Sequence, residues 1–113
     1  MHEIGIMIEV VKIVEDFAKK NGVTKIQTLV LQIGELSPTI PRYVEACYPA
    51  AIDGTSLIDT ELKIEVMPAN AICKKCNKVF HIIESNNICP YCESEAWEII
   101  SGKEFFIKEI VAC

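Results

Sequence analysis

A chain of 113 residues, half of them hydrophobic, makes one domain, or one domain with a small insert, and can bury a real core. Charged residues are an ordinary 24% and the net charge is −5, which argues against nucleic acid as the main partner, because phosphate contacts need clustered Lys and Arg. The opening Met1-His2-Glu3 has no basic n-region, Glu9 and Lys12 break the apolar stretch after it, and nothing approaches a membrane span, so neither a secretory signal nor a membrane anchor is expected.

From Gly5 to Lys20 the apolar residues Ile6, Met7, Val10, Val11, Ile13, Val14, Phe17 and Ala18 recur with a helical period. Asn21-Gly22 stops this helix, since glycine takes the left-handed position after a helix end. Thr24 to Ile33 reads as a strand with Leu29, Leu31 and Ile33 on one face. After a turn region, Gly34 to Pro41, a second helix is predicted from about Pro41 to about Ala51, its end blurred by Pro49. Leu62, Ile64 and Val66 then alternate with Glu61, Lys63 and Glu65 in a strand that Pro68 ends. Glu104 to Val111 reads as a last strand, with Phe105 and Ile107 on one face and a slip before Ile110. The pattern predicts an α+β fold: a small sheet of about three strands covered on one side by two helices. Residues 1–70 and 99–113 form this discontinuous domain, and 71–98 form an inserted cysteine-bearing lobe.

That lobe carries Cys73-Lys74-Lys75-Cys76 and Cys89-Pro90-Tyr91-Cys92, separated by twelve residues. A two-residue gap lets both sulfurs of a pair turn to one point, and two such knuckles supply four thiolates at tetrahedral corners for Zn²⁺. Two disulfides or four unrelated thiols are the alternatives; in the reducing, cytoplasmic compartment expected here, paired cysteines serve better as metal ligands. A Cys₄ zinc-ribbon site has no open coordination position, so it holds structure and does no chemistry. Iron in place of zinc would make a rubredoxin-like electron carrier, and a zinc ribbon can also be a nucleic-acid or scaffold module. Lys74, Lys75 and Lys78 form a small basic patch that a solvated knuckle explains as well as an RNA contact does. Cys47 and Cys113 lie outside the quartet, as free thiols of no assigned role.

His2 stands one residue behind a free amine. Its bulk should prevent removal of Met1, so the Met1 amine, the His2 amide nitrogen and the His2 imidazole lie within chelating reach of one ion. Such nitrogens suit a tetragonal Ni²⁺ or Cu²⁺, and Glu3 could add its amide nitrogen or, from behind, its carboxylate. The plainer readings are a frayed terminal histidine and an acidic residue that favours the helix dipole.

The start Met1-His2-Glu3-Ile4, the stretch Leu31-Gln32-Ile33-Gly34-Glu35-Leu36-Ser37, the spaced CxxC pairs and the ending Gly102 to Val111 together resemble, in order, the HypA/HybF family of hydrogenase nickel-insertion proteins. The resemblance implies a small metallochaperone that binds Ni²⁺ through His2 at the N-terminus and carries structural Zn²⁺ on Cys73, Cys76, Cys89 and Cys92. It implies as partners a HypB-like nickel GTPase, the [NiFe]-hydrogenase large subunit and, in some organisms, urease accessory proteins. The family's knuckles often carry glycine just after a pair's second cysteine. This chain has Asn77 and Glu93, and glutamate tolerates a left-handed turn poorly, so the second knuckle is expected to be less regular.

His81 could complete a nickel site if the cysteine lobe folds back, and otherwise is a solvated hairpin residue; Phe80, Tyr91 and Trp97 are expected to pack around the hairpin. No nucleophile–base pair, phosphate loop, GxGxxG or HExxH is present, so no enzyme is expected.

Overall fold

The computed structural model describes residues 3–112; Met1, His2 and Cys113 lie outside the described residues. In chain order the elements are α1 (Glu3–Lys20), β1 (Ile26–Gly34), α2 (Pro41–Ile52), β2 (Glu61–Met67), β3 (Asn70–Cys73), β4 (Val79–His81), β5 (Trp97–Ser101) and β6 (Phe105–Ala112). They form two sheets of three strands, ordered β2-β1-β6 and β4-β3-β5. No described helix is long and apolar enough to cross a membrane.

The expected helix stripe is narrower than its periodicity implied. Met7, Val10, Val11, Val14 and Ala18 are buried, but Ile13 and Phe17 are 55% and 45% exposed. These two sit four residues apart on a flank that neither α2 nor the sheet reaches. The helix ends in a Schellman arrangement: Gly22 has φ +67°, and the Val23 N–H bonds back to the Ala18 carbonyl at 2.8 Å.

β1 is the central strand, parallel to β2 and antiparallel to β6. Leu29, Leu31 and Ile33 all face the helices and are fully buried, as their alternation predicts. Leu62 and Ile64 pack on the same core, whereas Val66, on the same face, is 53% exposed because it lies beyond the helical cover. The slip in β6 is present. Val30 pairs with Glu109 and Leu31 with Ile107, so Lys108 is the extra residue of a bulge. Its ammonium reaches Glu65 at 2.9 Å.

Pro49 does not end α2, which continues to Ile52. Glu45 and Pro49 are both exposed, so water can serve the carbonyl that lost its helical donor. On the buried side, the Tyr48 hydroxyl donates to the Thr60 carbonyl at 2.8 Å, and burial pushes its phenol up to about 12.

The second sheet has a separate small core of Ala69, Ala71, Cys73, Phe80, Ile82 and Cys89. Trp97 meets Phe80 edge to face at 6.2 Å and donates its indole N–H to the Asn87 carbonyl at 2.8 Å. Tyr91 does not join them. It stands 59% exposed with the Lys78 ammonium 4.7 Å from its ring centre, a contact open to solvent.

Both connections between the sheets cross one crowded point. A Cβ on Gly34 would collide with the Gly102 carbonyl, and one on Gly102 would strike the Ala69 backbone. Gly34→Ala should therefore cost about 2–3 kcal/mol, as overpacking does where the obstacle is main chain. Urea unfolding of the two proteins checks this, and equal midpoints would contradict the packing described.

Candidate metal centre

Cys73 ends β3, and the chain turns so that the Cys73 N–H bonds to the Lys78 carbonyl at 2.9 Å and the Asn77 N–H to the Cys73 carbonyl at 2.9 Å. The second knuckle repeats this pattern. The Cys89 N–H bonds to the Ser94 carbonyl at 3.0 Å and the Glu93 N–H to the Cys89 carbonyl at 2.8 Å. Asn77 and Glu93 occupy matching left-handed positions, at φ +59° and +62°.

The expected irregularity of the second knuckle is thus overturned. The two hydrogen bonds hold Glu93 in a conformation it would otherwise avoid. Left-handed backbone costs a residue with a Cβ about 1–2 kcal/mol. Allowing for glycine's greater unfolded-chain freedom, Glu93→Gly should stabilise the lobe by about 0.5–1 kcal/mol. A slower loss of metal to a chelator would show it; a faster loss would mean that the glutamate side chain itself supports the turn.

The turns bring four sulfurs together. Cys73 Sγ lies 3.5 Å from Cys92 Sγ and Cys76 Sγ 3.7 Å from Cys89 Sγ, with all four within 4.8 Å of one another. These separations are far beyond an S–S bond of about 2.05 Å. They suit the edges of a tetrahedron around a metal with ~2.3 Å bonds to sulfur, which are about 3.8 Å long. Cys73 and Cys89 are buried while Cys76 is half-buried and Cys92 exposed, so the cluster meets solvent on one side.

Its protons point to a cation. The Cys76 N–H holds the Cys73 thiol down at about 6, against the opposing effect of burial. Although the Ser94 N–H acts to lower Cys92, the neighbouring Cys73 sulfur and burial outweigh it and push that thiol up to about 12. One thiolate is accommodated and the next is resisted, because like charges crowd the same few ångströms. A divalent ion at the centre removes that conflict. Among the described residues this is the only cluster of potential metal ligands.

The N-terminal candidates are placed less fully. Glu3 is the first residue of α1 and is buried, while the Met1 amine and His2 lie outside the described residues. Met67 pairs with Gly34, and Phe105 with Ile33, so the cysteine lobe leaves from the Gly34 end of the first sheet.

His81 is not the solvated residue expected of it. Its Nε2 lies 2.6 Å from Glu35 Oε1, its Nδ1 accepts the Glu84 N–H at 3.1 Å, and its side chain is 22% exposed. Glu35 also accepts the Ala69 N–H at 2.7 Å. That backbone donor first, and His81 second, hold the Glu35 carboxyl below the usual carboxylate range. A depressed carboxylate stabilises the fold above its unfolded pKa, and the contribution is lost only as pH falls through the lowered folded value. Mild acid therefore leaves the Glu35 carboxylate charged. Sequence reasoning missed the pair, whose members are 46 residues apart and share no local pattern.

A family model described as "Hydrogenase/urease nickel incorporation, metallochaperone, hypA" matches residues 1–112. The hydrogenase maturation factor HypA of Chlorobium limicola is 36% identical over 110 residues, covering 97% of this chain and 95% of that one. The Picosynechococcus protein of the same name is 34% identical over 110 residues, 97% of each chain. Among solved structures, the solution structure of the Ni metallochaperone HypA from Helicobacter pylori covers 99% of this chain and 97% of its own, at 25% identity and a TM-score of 0.67. A second HypA solution structure, also 25% identical, covers 100% of this chain and 97% of its own with a TM-score of 0.73. The chain belongs to the HypA family of hydrogenase and urease nickel-incorporation metallochaperones.

Proposed function

We propose that this metallochaperone carries Ni²⁺ at its N-terminus, on the Met1 amine, the His2 amide nitrogen and the His2 imidazole, with Glu3 adding its amide nitrogen or its carboxylate. The observation that carries this reading is the family match, which begins at residue 1 and so takes in Met1-His2-Glu3. Chemistry supports it, because consecutive amine, amide and imidazole nitrogens close small chelate rings of the tetragonal kind that Ni²⁺ accepts. The nickel is cargo. It passes, with a HypB-like GTPase, to the large subunit of a [NiFe]-hydrogenase, and in some organisms to urease accessory proteins, in the cytoplasm.

Cys73, Cys76, Cys89 and Cys92 would hold a resident Zn²⁺ that supplies structure to the lobe. The sulfur spacings favour this, as does a donor set with no open position. Iron would give a red protein, and zinc a colourless one. The regions read as residues 1–70 with 99–113, and 71–98, would then be a nickel-carrying and a zinc-carrying domain, with the second sheet and its core taking the zinc-carrying one out to Ala69 and Ser101.

An N-terminal extension tests the nickel site. Even a short tag ahead of Met1 removes the primary amine from the chelate, so nickel affinity should fall about tenfold or more, while zinc content stays unchanged. Equal nickel affinity in tagged and untagged protein would place the site elsewhere.

A further inference from the structure

Between the two sheets, packing is incomplete. A crevice of about 240 Å³ opens there, and the aliphatic side chains that flank it, Ile40, Val66 and Ile83, are 39%, 53% and 49% exposed. The two apolar cores are separate clusters. Apolar contact therefore leaves the orientation of the cysteine lobe largely unset. The backbone bonds at the crossing join Gly34 to Glu104, Glu35 to Met67 and Leu36 to Gly102, and so secure the sheet end from which the lobe departs. Beyond them, the Ser101 hydroxyl ties the two connections together at the Pro68 carbonyl, at 3.0 Å.

Among the described residues, only the Glu35 side chain forms hydrogen bonds past this point. One of its carboxylate oxygens takes the N–H of Ala69, in the core of the lobe, and meets His81 at the end of β4. The imidazole is aimed: because Nδ1 accepts the Glu84 N–H, Nε2 carries the proton and donates it to Glu35. Ala69 in turn accepts the Ile82 N–H at 2.9 Å, so one carboxylate grips both β4 and the segment entering β3.

We propose that Glu35 is a positioning residue, a clasp that fixes the cysteine lobe on the helix–sheet layer through Ala69 and His81. This gives the stretch Leu31 to Ser37 a role: Gly34 lets the chains cross, and Glu35 locks what crosses. The clasp lies at the end of the first sheet from which the lobe departs, so it sets how the lobe stands on the helix–sheet layer, whether or not the protein carries nickel.

Residual dipolar couplings on the zinc-loaded full chain test it, with one alignment tensor for both lobes as the expected result for wild type. Glu35→Gln should keep the single tensor, because an amide oxygen accepts both hydrogen bonds. Glu35→Ala and His81→Ala should each require two tensors, with zinc content and each lobe's internal couplings preserved. In Glu35→Ala the Ala69 amide should exchange roughly tenfold faster or more, as expected for loss of a bond to a charged acceptor. The double variant should be no looser than Glu35→Ala, since the two residues act as one contact. Two tensors in wild type, or one retained in Glu35→Ala, would overturn the proposal.

Discussion

Replacing Cys73 or Cys89 by Ser is expected to remove about one equivalent of zinc per chain and to unfold the cysteine lobe, because metal binding and local folding are one event in such sites. Both residues are fully buried and belong to the lobe's own core, so the loss is of packing as well as of a ligand. That core is too small to stand alone, and structural zinc supplies an apparent ~10–16 kcal/mol at neutral pH. The helix–sheet layer has a separate core and should survive. Metal analysis and amide spectra of the variants would show lost zinc and collapsed lobe signals beside an intact first sheet. Full zinc content in the variants would mean that the four sulfurs do not form one site.

Acidification should separate the two metals. An ordinary imidazole titrates near ~6.5 and an α-amine near ~8, so below about pH 6.5 nickel competes with protons at both groups. Its apparent affinity should fall roughly tenfold or more per pH unit there. The cysteine site should keep its zinc through the same range, since its ligands are soft thiolates and two of its sulfurs are buried. Glu35, depressed by the Ala69 N–H and His81, keeps its charge through mild acid and goes on accepting the Ala69 N–H. The protein would release its cargo without losing its fold. Measuring both metals after dialysis at stepped pH checks this, and zinc leaving before nickel would contradict it.

How far these features were legible depends on the range of the interaction behind them. The CxxC pairs announce their site because two residues of spacing dictate knuckle geometry, and the structure converges all four sulfurs. Leu29, Leu31 and Ile33 could be read because a central strand's inner face follows its own alternation, and the β6 slip because Glu109 stands where the Phe105–Ile107 alternation calls for an apolar residue and Ile110 follows one place late. Periodicity failed where it named a stripe without its width. Ile13, Phe17 and Val66 have the right phase, but no neighbouring element extends far enough to cover them. Glu93 misled for another reason: intrinsic preference pointed away from the left-handed turn, and the tertiary frame of the knuckle imposed it. Glu35 and His81 were beyond sequence reading, since their meeting depends on how two separately folded sheets are joined.

A nickel titration of untagged wild type and His2→Ala, with zinc determined in the same samples, separates the proposed N-terminal nickel site from the cysteine site. Loss of the imidazole should lower nickel affinity by about a hundredfold or more, because a chelate without its strongest neutral donor loses most of its binding. Zinc content and the thermal midpoint should be unchanged, since a residue at the chain's very start contributes little to the core. A His2→Ala protein that binds nickel as tightly as wild type would mean that nickel is not held at the N-terminus.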